Sequence, residues 1–287
     1  MNNSEDYIVN NLDFYRKHHG QQLYYRWEGE VLWQETGDVW RQAASGREAS
    51  FSETLTPTRL RQQQKLFSII SMNATKVFIR PDPEFQQVGY RINRELGLFC
   101  DPQTQEILHT WQPDSTSSAV AIVHIANRIV QGAVRPKMTV IPKGQDYVTS
   151  VVQIPLTYPH PLAVDPKYRD YCPGETFNGT EYFTSHISRP EVKDLPPATW
   201  ARDCPWLPWM KLGYGHPARL RFETTTTRVE SFEQLHPNLI QLIREQVPIY
   251  EFTPDQSNEP NMTSTLYFRQ HFAAYLKGER FPIPEGL

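Results

Sequence analysis

The sequence predicts a mainly β protein, in which antiparallel strands run up and down to form a barrel-like (calycin-like) sheet with a few peripheral helices. Short segments of alternating or apolar side chains follow one another at hairpin spacing, and polar turns separate them. Proline is also more frequent than glycine, with 24 residues against 14, which favours fixed turns. No shift in composition marks a second domain, so we expect one domain over residues 1–287.

The bulk composition excludes several classes of protein. A net charge of −3 argues against a nucleic-acid partner, which requires a basic surface. The three cysteines are far apart and form no CxxC pair, as is typical of reduced thiols in a cytosol. The N-terminus lacks a basic and apolar leader, and no run of 18 apolar residues occurs. We therefore predict a cytoplasmic protein without a membrane partner.

The first elements are a helix and a long strand. Apolar spacing predicts a helix over Glu5–His18 that docks on one end of the sheet, and Gly20 ends it. Gln22–Gln34 alternates as a strand, which places Tyr25 and Trp27 on one aromatic face. The other face carries Tyr24, Arg26, Glu28, Glu30 and Leu32.

Further strands follow this one. Val39-Trp40 begins a return strand, and Leu66–Ser71 and Thr75–Arg80 are predicted as two strands with a break at Met72-Asn73-Ala74. Gln86–Phe99 is the next strand. Later strands are predicted at Met138–Ile141, Asp146–Ile154, Glu181–Ile187 and Arg219–Thr227, and helices at Pro237–Gln246 and Thr263–Lys277.

The segment Arg91–Asn127 is predicted as a three-stranded meander. Asp101-Pro102 opens the first turn, because Pro presets φ and Asp bonds the following backbone. Glu106–Trp111 is the short middle strand, and Ala119–Ile125 is apolar on both faces, which indicates burial on both sides. His124 within that strand needs partners for its ring nitrogens. It is either a structural histidine or, with His109 and Asn127, part of a pocket wall.

The segment Asp203–Gly215 is rich in tryptophan and irregular. Two prolines beside Trp206 and Trp209 exclude a central strand. The segment is expected to plug the open end of the barrel, to cover a ligand site, or to do both.

Known catalytic motifs are absent from the sequence. It contains no GxxxxGK[ST], GxGxxG, GxSxG or HExxH pattern, and its nine histidines form no spaced ligand set. We therefore predict neither a cofactor nor a metal site; the alternative is a metal site assembled from His109, His124 and a carboxylate on distant strands.

The remaining candidates are polar groups within an aromatic interior. Such a cavity suits a small aromatic or hydrophobic ligand, and a buried His or Glu with a shifted pKa can transfer protons. Arg94 or Arg26 is expected to hold a carboxylate. The predicted catalytic residues are His124, His109, Glu95 and Arg94, and the predicted ligand-binding residues are Tyr25, Trp27, Glu30, Trp111, Asn127, Trp206 and Trp209.

Three functions fit these features. The first is a cofactor-independent enzyme that cyclises or decarboxylates a small aromatic carboxylic acid. The second is a barrel that only binds a hydrophobic metabolite. The third is an interaction module, which requires Trp206 and Trp209 to be exposed to solvent. Each function is compatible with a homodimer.

Three stretches of the chain resemble a known family. RELGLFCDPQTQEILHTW with VAIVHIAN, WARDCPWLPWMKLG and NMTSTLYFRQHF are similar to segments of family DUF1838, from about Tyr25 to Phe272. The chain departs from the family pattern at Gln103-Thr104-Gln105 and at Thr265. The resemblance implies no catalytic residues. In its size and its polar, Gln- and Asn-rich composition, the chain also resembles cyanobacterial proteins of the scytonemin-cyclase type. Those enzymes close and decarboxylate an indole-bearing β-keto acid. This resemblance is an analogy without a motif match.

Overall fold

The computed structural model describes residues 7–35, 64–135, 137–143, 147–188 and 195–278. It confirms the predicted fold class: the protein is mainly β, with an antiparallel, up-and-down sheet curled into a half-barrel and a few helices. The predicted return strand at Val39-Trp40 lies outside the described residues.

The strands and helices have the following bounds. The strands are β1 (Tyr7–Asn10), β2 (Gln22–Glu35), β3 (Gln64–Asp82), β4 (Gln86–Cys100), β5 (Thr110–Trp111), β6 (Val120–Ala121), β7 (Ile125–Val134), β8 (Lys137–Lys143), β9 (Tyr147–Pro159), β10 (Thr176–Ser188), β11 (Ala198–Pro205) and β12 (Ala218–Val229). The α-helices are α1 (Leu12–Lys17), α2 (Pro237–Gln246) and α3 (Ser264–Leu276).

Two meanders build the main sheet. Its strand order is β1-β8-β9-β10-β11-β12-β2-β3-β4-β7, so the ladder between β12 and β2 joins the second meander to the first. Strands β7 and β8 are eight positions apart in this order, about 38 Å in a flat sheet. Only residues 135 and 136 connect them, which limits their ends to about 10 Å. The sheet must therefore curl until its two edges approach each other.

Alternation along the strands gives the sheet an inner face and an outer face. The inner face carries the odd residues of β2, β3 and β4, because Val31 lies opposite Phe67 and Asn73 lies opposite Glu95. It also carries the even residues of β12 and β11, since Phe222 lies opposite Val31 and opposite Arg202.

Helix α2 covers the outer face. Met72, Ala74, Leu96 and Leu98 are buried there in one cluster with residues of α2. The inner face contains a second cluster, to which the aromatic side chains of α3 and the segment around Trp206 contribute. Strands β3 and β4 are thus buried on both faces over much of their length.

The predicted N-terminal helix is only partly correct. Tyr7–Asn10 is strand β1, which pairs with β8, and the helix is limited to Leu12–Lys17. Edge pairing overrides the local helical spacing here. The helix does dock on one end of the sheet, where Tyr15 packs with Leu23 and Val77. Gly20 follows it with a φ of 72°, a conformation that suits glycine.

The predicted break at Met72-Asn73-Ala74 is wrong, because β3 runs through these residues without interruption. Asn73 keeps the alternation: its side chain belongs to the inner face, while Met72 and Ala74 are buried on the outer face. The polar Asn73 therefore occupies an inward-facing position of a strand and does not indicate a turn.

The meander is also only partly correct. Strand β4 has nearly the predicted bounds, and Asp101 forms the predicted turn by accepting hydrogen bonds from the backbone N–H groups of Gln103 and Thr104, both at 2.8 Å. The other two segments shrink to β5 and β6, which form a separate two-stranded sheet.

The predicted helices near the C-terminus are confirmed, with Thr263 as the N-cap of α3. No helix in the described ranges is long and apolar enough to cross a membrane.

Candidate functional site

The inner face has three levels along its strands. At one end lies the aromatic layer, which includes Phe67, Phe99, Trp206, Trp209 and Phe222. At the other end Tyr15 of α1 packs against the sheet. Between them lies the polar layer, which we define as Trp27, Asn73, Asn93, Glu95, Asn127, Glu181, Arg202 and Thr226.

The polar layer contains buried polar atoms that have no hydrogen-bond partner among the described residues. Five such atoms belong to it: Trp27 Nε1, Asn73 Oδ1, Asn93 Oδ1, Arg202 Nε and Thr226 Oγ1. Buried polar groups in native proteins are nearly always hydrogen-bonded, so each exception calls for an explanation. Five on one face, from five strands, show that the described residues leave hydrogen-bonding capacity unused inside the half-barrel.

Electrostatic interactions show that the two sides of the half-barrel face each other. Glu95 on β4 and Arg202 on β11 are four strand positions apart, about 19 Å along the sheet. Nevertheless Arg202 and Glu181 both affect the pKa of Glu95. This coupling agrees with the curl of the sheet, which makes β4 and β11 face each other across the interior.

Glu95 is a buried acid of this layer whose pKa is shifted upward. Burial raises its pKa and Glu181 raises it further, whereas the hydrogen bond from Asn127 and the charges of Arg202 and Arg91 lower it. The net direction is upward, which brings this carboxyl closer to neutral pH. A raised pKa makes a carboxyl a stronger proton acceptor than an ordinary glutamate.

Arg202 is the cation of the layer. Its Nη1 lies 3.9 Å from Glu181 Oε1, and its guanidinium carbon lies 5.4 Å from the ring centroid of Phe177. Burial acts against its charge, but Cys204, Glu181, Tyr158 and Glu95 outweigh that effect, so the pKa of Arg202 is raised. The guanidinium stays charged and its Nε–H is available to an acceptor.

Asn127 links the polar layer to helix α3. Its Nδ2 donates to Glu95 Oε2 at 2.7 Å, and its Oδ1 accepts from the backbone N–H of Ser264 at 2.9 Å. Ser264 is the first residue of α3. The predicted pair of Glu95 and Asn127 is therefore brought together, through contacts that the sequence does not specify.

The walls beside the polar groups are apolar and aromatic. Phe183 and Trp200 lie opposite each other on the inner face, and Tyr25 lies opposite Asn73. On β9 the inner-face residues Val152 and Ile154 are 43% and 39% exposed. Open apolar surface next to unpaired polar atoms is typical of a small-molecule site.

The tryptophan segment forms a plug above this layer. Trp206 and Trp209 are 0% and 3% exposed, so the exposed surface that the interaction module requires is contradicted. Trp206 Nε1 donates to the carbonyl of His216 at 3.2 Å, and Trp209 packs against Phe67, Phe99 and Trp111. Trp209 Nε1 is buried without a hydrogen-bond partner in the described part of the chain.

The two predicted histidines are not in the polar layer. His124 stacks on Phe99, and its Nδ1 accepts the backbone N–H of Phe99 at 3.2 Å. Burial and the neighbouring His109 lower the pKa of His124 to about 4, so it is neutral at pH 7. His109 itself is exposed. The geometry of His124 corresponds to the structural alternative, with a backbone N–H as its partner.

Three further predicted residues lie on the outer face. Arg94 donates to the carbonyls of Ile249 and Phe252 and thereby holds the segment after α2. Arg26 pairs with Glu28, and Glu30 lies 3.4 Å from Lys65. Their neighbours on the inner face are one residue away along the strand, so parity separates them from the polar layer.

Five polar residues of the layer are absent from the predicted site. The sequence places Asn73 in a turn, and the predicted catalytic and ligand-binding residues do not include Asn93, Glu181, Arg202 and Thr226. Arg202 could have been found from its parity, since it alternates with Trp200 and Cys204 on a strand whose other side chains are more polar. No cluster of three or more potential metal-ligating side chains occurs in the described ranges.

Comparisons with known proteins assign the chain to a family. No curated protein and no solved structure matches it. A family model described as "Protein of unknown function (DUF1838)" matches residues 54–272, which include the inner-face residues Asn73, Glu95 and Arg202. The chain therefore belongs to the DUF1838 family.

Proposed function

We propose that the polar layer binds a small carboxylic acid with an aromatic or apolar body, and that the protein cyclises or decarboxylates this acid by proton transfer without a cofactor. The observation that carries the proposal is the set of five buried, unpaired polar atoms on the inner face. A ligand whose own polar groups meet these atoms would remove their desolvation cost.

Two side chains have the chemistry that the reaction needs. Arg202 holds the acid group or stabilises the enolate oxygen that forms when a proton or carbon dioxide leaves the carbon next to a carbonyl. Glu95 takes or returns the proton, because its raised pKa suits both directions of transfer. These residues replace Arg94, Arg26 and the two histidines in the roles expected from the sequence.

The apolar walls favour the body of the substrate. Trp27, Trp200 and Phe183 offer flat surfaces, and Val152 and Ile154 offer aliphatic surface on the same face. Aromatic faces also stabilise a developing cation.

A panel of aromatic and aliphatic β-keto acids tests the proposal. Carbon dioxide release and product masses are followed with wild-type protein, Glu95→Gln and Arg202→Met; Arg26→Met and Glu30→Gln are outer-face controls. We expect conversion by the wild type and both controls, and loss of at least about 100-fold in the two inner variants. Equal rates in inner and outer variants would overturn the assignment.

A non-catalytic carrier is the second candidate. It is favoured by the position of His124 and His109 outside the polar layer, which leaves Glu95 as the one proton-transfer group among the predicted residues. Binding of a panel compound that depends on Arg202, without any conversion, would identify a carrier.

A further inference from the structure

We propose that Asn127 is a positioning residue, which helix α3 locks in one amide orientation so that it fixes the Glu95 carboxyl and leaves its second oxygen, Oε1, for a substrate on the inner face. This inference rests on the proposed role of Glu95 in proton transfer. It adds a control of that residue by a helix that belongs to the aromatic layer.

The orientation of the amide follows from its two partners. The N–H of Ser264 can only donate, so the atom that faces it must be the amide oxygen. The Nδ2 group is then directed at Glu95, where it donates to Oε2. A flipped amide would lose the contact with Ser264 and would present an acceptor to Glu95.

A β-bulge holds the two elements in place. The register of β4 and β7 steps from Glu95 opposite Asn127 to Asn93 opposite Val130, so β7 has an extra residue at this point. Next to Asn127, the N–H of Arg128 donates to the carbonyl of Met262, and the N–H of Met262 donates to the carbonyl of Ile129. Met262 lies two residues before Ser264, so these bonds set the start of α3 beside the Asn127 amide.

The rest of α3 fixes the helix to the plug. Phe272 is fully buried in the aromatic layer, and the hydroxyl oxygen of Tyr275 lies 2.8 Å from the carbonyl of Ala121 and 3.0 Å from that of Trp209. The Ser264 N–H is therefore a rigid reference point at the edge of the polar layer. Such second-layer contacts are what keep a reactive group in its productive geometry.

The titration of Glu95 tests this role without a substrate. Carbon-detected NMR of the labelled Glu95 carboxyl gives its pKa in the wild type and in variants. The charged or titratable groups that face Glu95 are Glu181, Arg202, Arg91 and Tyr250, and none of them is substituted in these variants. In Asn127→Ala the carboxylate loses a donor, so its pKa rises and the protonated fraction relative to the ionised fraction increases about tenfold at a fixed pH.

A matched pair at Ser264 isolates the amide orientation. Ser264→Pro removes the backbone N–H at the first helical position, where proline is tolerated, and the extended Thr263 (φ −84°, ψ 160°) is compatible with a following proline. The freed amide can then turn its oxygen to Glu95, which favours the protonated acid and raises its pKa. Ser264→Ala keeps the N–H and should behave like the wild type.

The outcomes separate this inference from the proposed function. An unchanged pKa of Glu95 in Asn127→Ala, or equal values in Ser264→Pro and Ser264→Ala, would overturn the positioning role even if Glu95→Gln abolished conversion. A shift in both Asn127→Ala and Ser264→Pro would support it even if no panel compound were converted. If Asn127→Ala does not fold, the Ser264 pair decides.

Discussion

The aromatic layer and the polar layer lie on the same face of the same strands but differ in how many of their buried polar atoms are hydrogen-bonded. In the aromatic layer, Trp206 Nε1 and His124 Nδ1 both bond to backbone groups, although Trp209 Nε1 is an exception. In the polar layer, five buried atoms lack a partner within the described residues. The first arrangement stabilises a fold; the second leaves hydrogen-bonding capacity that no described residue uses.

The largest expected effect concerns a core ring of the aromatic layer. Phe99 is 0% exposed, and Phe99→Ala should lower the free energy of unfolding by about 3–5 kcal/mol. Glu95→Gln, four residues away on the same face, keeps its shape and should change it by less than about 1 kcal/mol. Urea unfolding measures both. An equal loss in the two variants would mean that the polar layer is as structural as the aromatic one.

The pH dependence of stability has one sign for two buried histidines and the opposite sign for Glu95 of the polar layer. Burial lowers the pKa of His124 and of His160 to about 4, compared with 6.5 for an ordinary histidine. The unfolded chain therefore binds more protons in this range, and stability should fall as the pH drops from about 6.5 to about 4, by about 3 kcal/mol for each histidine. The raised pKa of Glu95 acts in the opposite sense, with stability lost as the pH rises.

Unfolding midpoints across this pH range check the assignment. His124→Gln should flatten the acid loss, because glutamine accepts the Phe99 N–H without gaining a charge. Glu95→Gln should steepen it, since the opposing group is removed. Stability that is independent of pH between 6.5 and 4 would contradict the neutral state of the two histidines.

The smallest effect compares two threonines of β12 on the inner face. Thr224 Oγ1 donates to the carbonyl of Trp200 at 3.1 Å, whereas Thr226 Oγ1 has no hydrogen-bond partner in the described part of the chain. Thr224→Val should cost about 1 kcal/mol, and Thr226→Val should be neutral or slightly stabilising. Thermal unfolding of the two variants decides whether the Thr226 hydroxyl is unpaired in the protein.

Much of the fold could be predicted from local patterns. Alternation in Gln22–Gln34 placed Tyr25 and Trp27 on one face of the strand, as observed, and the amphipathic spacing of Pro237–Gln246 gave α2 its observed bounds. Patterns failed where long-range pairing decides the structure. The segment Tyr7–Asn10 forms a strand because it pairs with β8. Strand β3 continues through Asn73 because it pairs there with both β2 and β4.

The site was harder to predict than the fold. Alternation put Glu95 and Asn93 on one face of their strand and Arg94 on the other, but it could not show which face is inside. The opposition of Glu95 and Arg202 depends on how the whole sheet curls, because three strands separate them. His124, by contrast, was predicted to be catalytic only because histidine can transfer protons. In the structure its Nδ1 accepts the backbone N–H of Phe99, which is a structural role.

The most direct test of the central claim is native mass spectrometry of the protein purified from its own host, followed by release and identification of small molecules. We expect a small carboxylic acid or its product to be bound in a fixed ratio, lost in Arg202→Met and retained in Arg26→Met. This expectation would be contradicted by an empty wild-type protein whose tryptophan fluorescence does not change with any acid of the panel, or by a ligand that both variants retain equally.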